Sequence, residues 1–235
     1  MQIQRIITVN KSILADLLFR GWILLPHCQR NRRKHLKDVR SRFNYNKLSD
    51  ISIFCTNCVG GILYHFLGIP FRSPLINTSM DRNQFLVFCT SLKQYLDCEL
   101  LVSKNEKGSC TGKIGGNGLD VLTIEFPHDS DPDVVIEKWK KRVGRVNYDK
   151  LVLICDDRGM KEESFREFDK IRAFRKILFT ADDRSRQYPW CHQLMAYQGE
   201  EEVGDYNGKT LNGMWKFQTM WDYVSFLNGT ERKIR

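Results

Sequence analysis

The 235-residue chain shows no internal repeat, no low-complexity segment and no apolar run long enough to cross a bilayer comfortably. Its best candidate, Ile13 to Leu25, is short and carries Asp16 and Arg20. No secretory leader precedes the eight cysteines, and Cys55, Cys89 and Cys155 lie inside apolar runs. The expectation is therefore reduced thiols in a cytoplasmic protein, not a disulfide scaffold. Cys55-Thr-Asn-Cys58 has C-x-x-C spacing, but a second pair is missing and one member falls on the packed face of a strand, so no metal is expected. Gly115-Gly-Asn-Gly118 lacks the lysine and the spacing of a phosphate loop. Also missing is the interleaving of aromatic and basic residues that a single-stranded nucleic acid needs, and nucleic acid is not an expected partner.

What is present is charge at one end. Residues 1–50 hold eleven Lys/Arg against three Asp, so +8 of the net +9 sits there. The Trp-containing apolar stretch from Ile13 runs into the polybasic segment Arg30–Arg42. Two readings stand: residues 1–45 lie on an anionic membrane surface, where burial and charge attraction add, or two helices pack on the domain with a solvated basic face. The composition shift divides the chain into a basic helical arm, 1–48, and one α/β domain, 49–235.

The chain is organised around Ile51-Ser-Ile-Phe-Cys-Thr-Asn-Cys-Val-Gly-Gly61. Alternation through Ile51, Ile53 and Cys55 reads as a strand, Asn57 and the glycine pair as a tight turn, and Ile62–Leu67 as a helix stopped by Gly68 and Pro70. Cys58 falls at the strand-to-helix turn, where the positive helix end favours thiolate and nearby glycines let a substrate approach. The same position suits a small apolar residue packed under a turn.

Further on, Asp81 opens an amphipathic helix over 83–96, Leu100–Val102 looks like a strand, and 104–118 like a loop or hairpin. Leu119–Phe126 alternates as a strand; Asp131 with Pro132 caps the helix Val134–Val143. Lys150–Cys155 is a continuous apolar run typical of a central strand, followed at once by Asp156-Asp157, then a helix over 164–173 and a strand over 176–180. The region 184–212 reads as loops and 214–227 as a terminal amphipathic helix. Alternating strands and helices imply a three-layer α/β/α fold with a largely parallel or mixed central sheet, whose strand ends collect ligands. Cys58, His128 and Asp156/Asp157 all lie at such ends. As a site they would act as nucleophile, base and acid, and orienter of the imidazole; singly, each is also explained by packing, capping or solvation.

Thr56-Asn-Cys-Val-Gly-Gly61 with Leu67-Gly-Ile-Pro-Phe-Arg-Ser-Pro74, and Phe126-Pro-His-Asp-Ser130 with Glu137-Lys-Trp-Lys-Lys-Arg-Val-Gly-Arg-Val-Asn147, together resemble the bacterial domain-of-unknown-function family DUF1919. The resemblance runs from about residue 50 to the C-terminus. It implies a three-layer α/β fold and a place among capsule and exopolysaccharide biosynthesis genes, with no established mechanism. The recurring positions it marks are Asn57, Cys58, Gly60, Gly61, Ser73, Pro74, His128, Ser130, Lys138, Trp139, Arg142, Arg145 and Asn147. Arg142 and Arg145, on one helical face, suit phosphate or carboxylate recognition; alternatively they pair with Glu137 or Asp149.

Three functional expectations follow. The first is a cytoplasmic enzyme of surface-polysaccharide assembly, at the inner face of the membrane, transferring an acyl or related group through Cys58 and His128 without a cofactor. Its substrate would be a sugar, nucleotide sugar or lipid-linked saccharide, held by Asn57, Gly60, Gly61, Ser73, Ser130, Lys138, Arg142, Arg145 and Asn147. The second is a glycosyltransferase in which Asp156-Asp157 or Asp182-Asp183 hold a divalent metal with a nucleotide sugar. The third is a non-catalytic scaffold anchored at the membrane by the basic arm.

Overall fold

The computed structural model describes residues 26–231, so the apolar stretch Ile13–Leu25, and most of the membrane-anchor expectation with it, lies outside the described residues. The chain enters through helix α1 (Pro26–Arg42) and a single turn α2 (Tyr45–Leu48), then forms strand β1 (Ser52–Cys55) and helix α3 (Val59–Leu67). Helices α4 (Arg82–Thr90) and α5 (Leu92–Asp97) follow, then strands β2 (Leu101–Lys104), β3 (Cys110–Gly116) and β4 (Leu119–Phe126) and helix α6 (Pro132–Val143). The last part comprises β5 (Leu151–Asp156), α7 (Glu162–Lys170), β6 (Arg175–Thr180), β7 (Cys191–Gln193), α8 (Lys216–Met220) and α9 (Tyr223–Asn228).

The protein is α/β, with two separate sheets. Strands β1, β5, β6 and β7 form a parallel sheet in that order, while β2, β3 and β4 form an antiparallel one. In the parallel sheet the strands are buried on both faces, which is why Lys150–Cys155 reads as unbroken apolar sequence. Ile53, Ile154 and Phe179 face one core, packed with α1, α3, α8 and α9. Phe54, Leu153 and Leu178 face a second core, packed with α4 to α7 and the inner face of the antiparallel sheet. Helix α1 belongs to the first core through Val39, and its Arg40 Nε donates to the Phe66 carbonyl at 3.2 Å.

Four local expectations are revised. Leu119–Phe126 pairs antiparallel with β3, not in the central sheet, because its polar, partly exposed residues suit a one-sided sheet. The helix over 83–96 is two helices that break at Ser91. Trp221, extended at φ −149°, likewise splits the terminal helix into α8 and α9. The loop region 184–212 contributes β7, the edge of the parallel sheet.

The glycine pair is also not a turn. Gly60 and Gly61 lie inside the first turn of α3, and close packing accounts for both: a Cβ on Gly60 would lie 3.0 Å from the Cys55 Cβ, and one on Gly61 would lie 2.5 Å from Asn77 Oδ1. Gly68 is the residue that needs glycine's freedom, capping α3 at φ +67°. Gly60→Ala gains helix propensity of about 1 kcal/mol but crowds a fixed strand atom, which costs about 1–3 kcal/mol. A net destabilisation of about 1 kcal/mol is expected in urea unfolding.

Candidate functional site

Cys58 follows β1 by three residues and caps α3; His128 follows β4 by two. They follow strands of different sheets and are seventy positions apart, yet Cys58 Sγ lies 3.5 Å from His128 Nε2. The segment Ser79-Met80 brings them together. Ser79 exchanges both backbone hydrogen bonds with Glu125 on β4 (2.9 and 2.8 Å), and the Met80 N–H donates to the Thr56 carbonyl at the end of β1 (3.0 Å). This bridge stitches the end of one sheet to the end of the other. The turn carrying His128 is pinned on both sides, since Asp129 N–H donates to Phe126 and its carbonyl accepts from Cys110.

The thiol is half-buried and the imidazole exposed. Burial pushes the Cys58 thiol up, opposite to the direction expected from its place at a helix start. A proton acceptor is therefore required for it to react near neutrality, and His128 is the group within reach. Cys55, the other member of the C-x-x-C pair, is fully buried and pushed up to about 12 by its burial; all eight cysteines are free. Among the described residues no cluster of three or more His, Cys, Asp or Glu is arranged to hold a metal.

The aspartate pair does something other than orient the imidazole. Asp156, fully buried, accepts from Arg82 (Nε to Oδ1 2.6 Å, Nη2 to Oδ2 2.8 Å) and from Arg158 (2.9 and 2.8 Å), and also from the Tyr206 hydroxyl at 2.9 Å. Burial alone would raise its carboxyl, but the two guanidinium groups overcome that and hold it at about 2. Its oxygens are taken up by these donors, so a divalent cation would have to displace an arginine. Asp157 accepts from the Ala181 and Val203 N–H groups, each at 2.8 Å. Asp182 pairs with Arg184, and Asp183 accepts from Ser185. Neither member of the Asp156/Asp157 pair bonds to His128.

Asn57 links this network to the cysteine. Its Oδ1 accepts from the Val59 N–H at 3.0 Å, satisfying an otherwise unpaired donor of α3, while its Nδ2 donates to Tyr206 at 2.7 Å and to Asp156 at 3.5 Å. Asn57 therefore positions the Cys58 loop from beneath. Ser73, buried, accepts from the Leu75 N–H. Asn147 ties α6 to β1, donating through Nδ2 to Asp50 and through its N–H to Ser52. Trp139 packs edge-on to Phe126 in the core. These roles are structural.

Others remain near the dyad. Lys138 pairs with Asp129 at 2.6 Å, and Ser130 is exposed on the same turn. Arg142 lies over the Phe71 ring at 5.4 Å, with burial lowering its pKa, Asp129 opposing that and Arg145 adding to it. Arg145 is exposed, and its carbonyl accepts from Arg72. Neither arginine pairs with Glu137 or Asp149. Sequence reasoning missed Arg82, Arg158 and Tyr206: Arg158 stands two residues from Asp156, but no local spacing announces that Arg82 and Tyr206 converge on the same carboxylate.

A cavity of about 600 Å³ opens beside this region, and its wall includes Gly61 and Ile62 from the turn that Cys58 caps, Phe71 beneath Arg142, and residues of α1. None of the helices among the described residues is long and apolar enough to cross a membrane.

The model of a domain of unknown function, DUF1919, matches residues 29–228. A curated relative from Haemophilus influenzae, described as an uncharacterized protein, is 28% identical over 212 residues, covering 83% of this chain and 96% of its own length.

Proposed function

Because the chain belongs to the DUF1919 family, a domain of unknown function, its activity has to be read from its own site, and we propose that it is a cysteine-dependent transferase. It moves an acyl or related group onto a saccharide, or onto its nucleotide-linked or lipid-linked form, in surface-polysaccharide assembly at the cytoplasmic face of the membrane. The observation that carries the proposal is the 3.5 Å approach of Cys58 Sγ to His128 Nε2, made by two sheets stitched together at their ends.

In the first half-reaction His128 takes the thiol proton as Cys58 attacks the carbonyl carbon. The donor's leaving oxygen or sulfur departs with that proton, leaving a thioester. In the second, an acceptor hydroxyl loses its proton to His128 and attacks the thioester, and the regenerated thiolate is reprotonated. The positive end of α3 stabilises the developing negative charge. Arg142, half-buried and lying over Phe71, would hold an anionic part of the substrate.

The test uses p-nitrophenyl acetate as a generic activated acyl donor, with peptide mapping by mass spectrometry. An acetyl group on Cys58, absent in Cys58→Ser, is the expected result. Acetylation confined to surface lysines would remove the covalent mechanism.

The glycosyltransferase reading loses support because its carboxylates are engaged by Arg82, Arg158, Arg184 and backbone donors.

A further inference from the structure

The cavity beside α3 has a lining that the Cys–His chemistry does not use. It is bounded by α1, by the start of α3 and by the segment 209–218. Three cations reach it, Arg32 and Arg33 from α1 and Lys209 from the facing segment, and no aspartate or glutamate is among its lining residues. None of the three meets a carboxylate among the described residues. Arg32 instead approaches His65 Nε2 at 3.2 Å, and Lys209 lies over the Trp215 ring at 4.9 Å. Arg32 and Lys209 are also close enough to oppose one another. Burial, and next to it the charge of Arg32, lower the Lys209 pKa. Like charges held together in a concave site without counter-charges raise the free energy of the empty protein, and an anion relieves it.

The rest of the wall mixes neutral polar side chains, among them Asn77 and Gln218, with the apolar and aromatic Phe66, Phe71, Met214 and Trp215. At about 600 Å³ the volume lies within the range of small-molecule sites, roughly 300–1,000 Å³. Cations and aromatic rings in one lining match a ligand with a multiply charged head and a larger, weakly polar body.

We propose that this cavity binds a diphosphate group, with the phosphates on Arg32, Arg33 and Lys209 and the rest of the ligand against Trp215 and Phe66. Two guanidinium forks and one ammonium supply enough donors for the oxygens of two linked phosphates, and their positive charge offsets the negative charge that either a terminal or a bridging diphosphate carries. The ligand is either a nucleoside diphosphate derivative or a diphosphate-linked lipid; both carry the same head. The cavity wall includes the first turn of α3, so the bound molecule lies next to the loop that holds Cys58. Binding itself does not require that thiol to react, so this inference stands or falls separately from the transferase reading.

The test is isothermal titration of the full chain with inorganic pyrophosphate, uridine diphosphate and farnesyl diphosphate, at low and at high salt. Arg33→Glu and Lys209→Glu are the variants; Arg33 is exposed and Lys209 only partly covered, so folding is retained and is checked by circular dichroism. Pyrophosphate is expected to bind, one of the two larger probes to bind more tightly and so identify the source, and each variant to weaken binding about tenfold, a loss of one charge-assisted contact. Absence of binding by all three probes at millimolar concentration, or binding unchanged in both variants, overturns the proposal.

Discussion

Asp156→Asn is expected to destabilise the protein by about 3 kcal/mol in urea unfolding, because it leaves two guanidinium groups facing an amide that can donate but cannot neutralise them. The carboxylate is fully buried and accepts from Arg82, Arg158 and Tyr206. The arginines are partly exposed, at 15% and 29% of their side-chain surface, and water reaching them keeps the cost below that of a wholly buried charge. The same pairing makes stability depend on pH. The folded carboxyl is held at about 2, below its ordinary value of 3.8. Its contribution is therefore full above about pH 4 and is lost as pH falls toward 2, amounting to roughly 2 kcal/mol. In Asp156→Asn that part of the acid sensitivity should disappear. Since Asn57 hangs from the same network and accepts from the first N–H of α3 beside Cys58, the variant should also lose thiol reactivity before it unfolds.

His128→Ala should slow acyl transfer from p-nitrophenyl acetate to Cys58 at neutral pH by about 10²–10³-fold with little change in stability. The size follows from the usual contribution of a positioned base, about 10²–10⁴-fold, taken toward its lower end because the contact is long for a proton transfer. Stability should barely move because the ring is exposed and its one side-chain partner among the described residues is Cys58. Substitutions of Lys138 provide a contrast. That residue pairs with Asp129 on the same turn, and breaking a surface pair of this kind costs at most about 1 kcal/mol while leaving the thiol's proton acceptor in place.

Much of this architecture is legible in residue order. The run 150–155 announces a strand buried on both faces, and Asp81, Asp131 and Gly68 mark helix ends where caps form. Local pattern fails where tertiary pairing decides. Leu119–Phe126 has the alternation of a strand, but nothing in it says which sheet it joins; the Ser79 to Glu125 bridge and the β3 hairpin settle that. The glycine pair announces special backbone but not that its cause is Cys55 and Asn77 pressing against the helix. Asp156 looks like a free acid at a strand end, since its partners Arg82 and Tyr206 lie 74 and 50 positions away. Cys58 and His128 can be suspected of a shared role from their positions after strands, but their contact depends on two sheets meeting, which no spacing encodes.

The most direct measurement is the rate of iodoacetamide labelling of Cys58 against pH, followed by peptide mapping in the wild type and in His128→Ala. A thiol whose proton passes to the neighbouring imidazole should label readily at neutral pH. Loss of that imidazole should cut the neutral rate by about 10²-fold and move the rise in rate to higher pH, where burial alone sets the ionisation. Superimposable profiles for the two proteins, or a Cys58 that resists labelling throughout, would contradict the account.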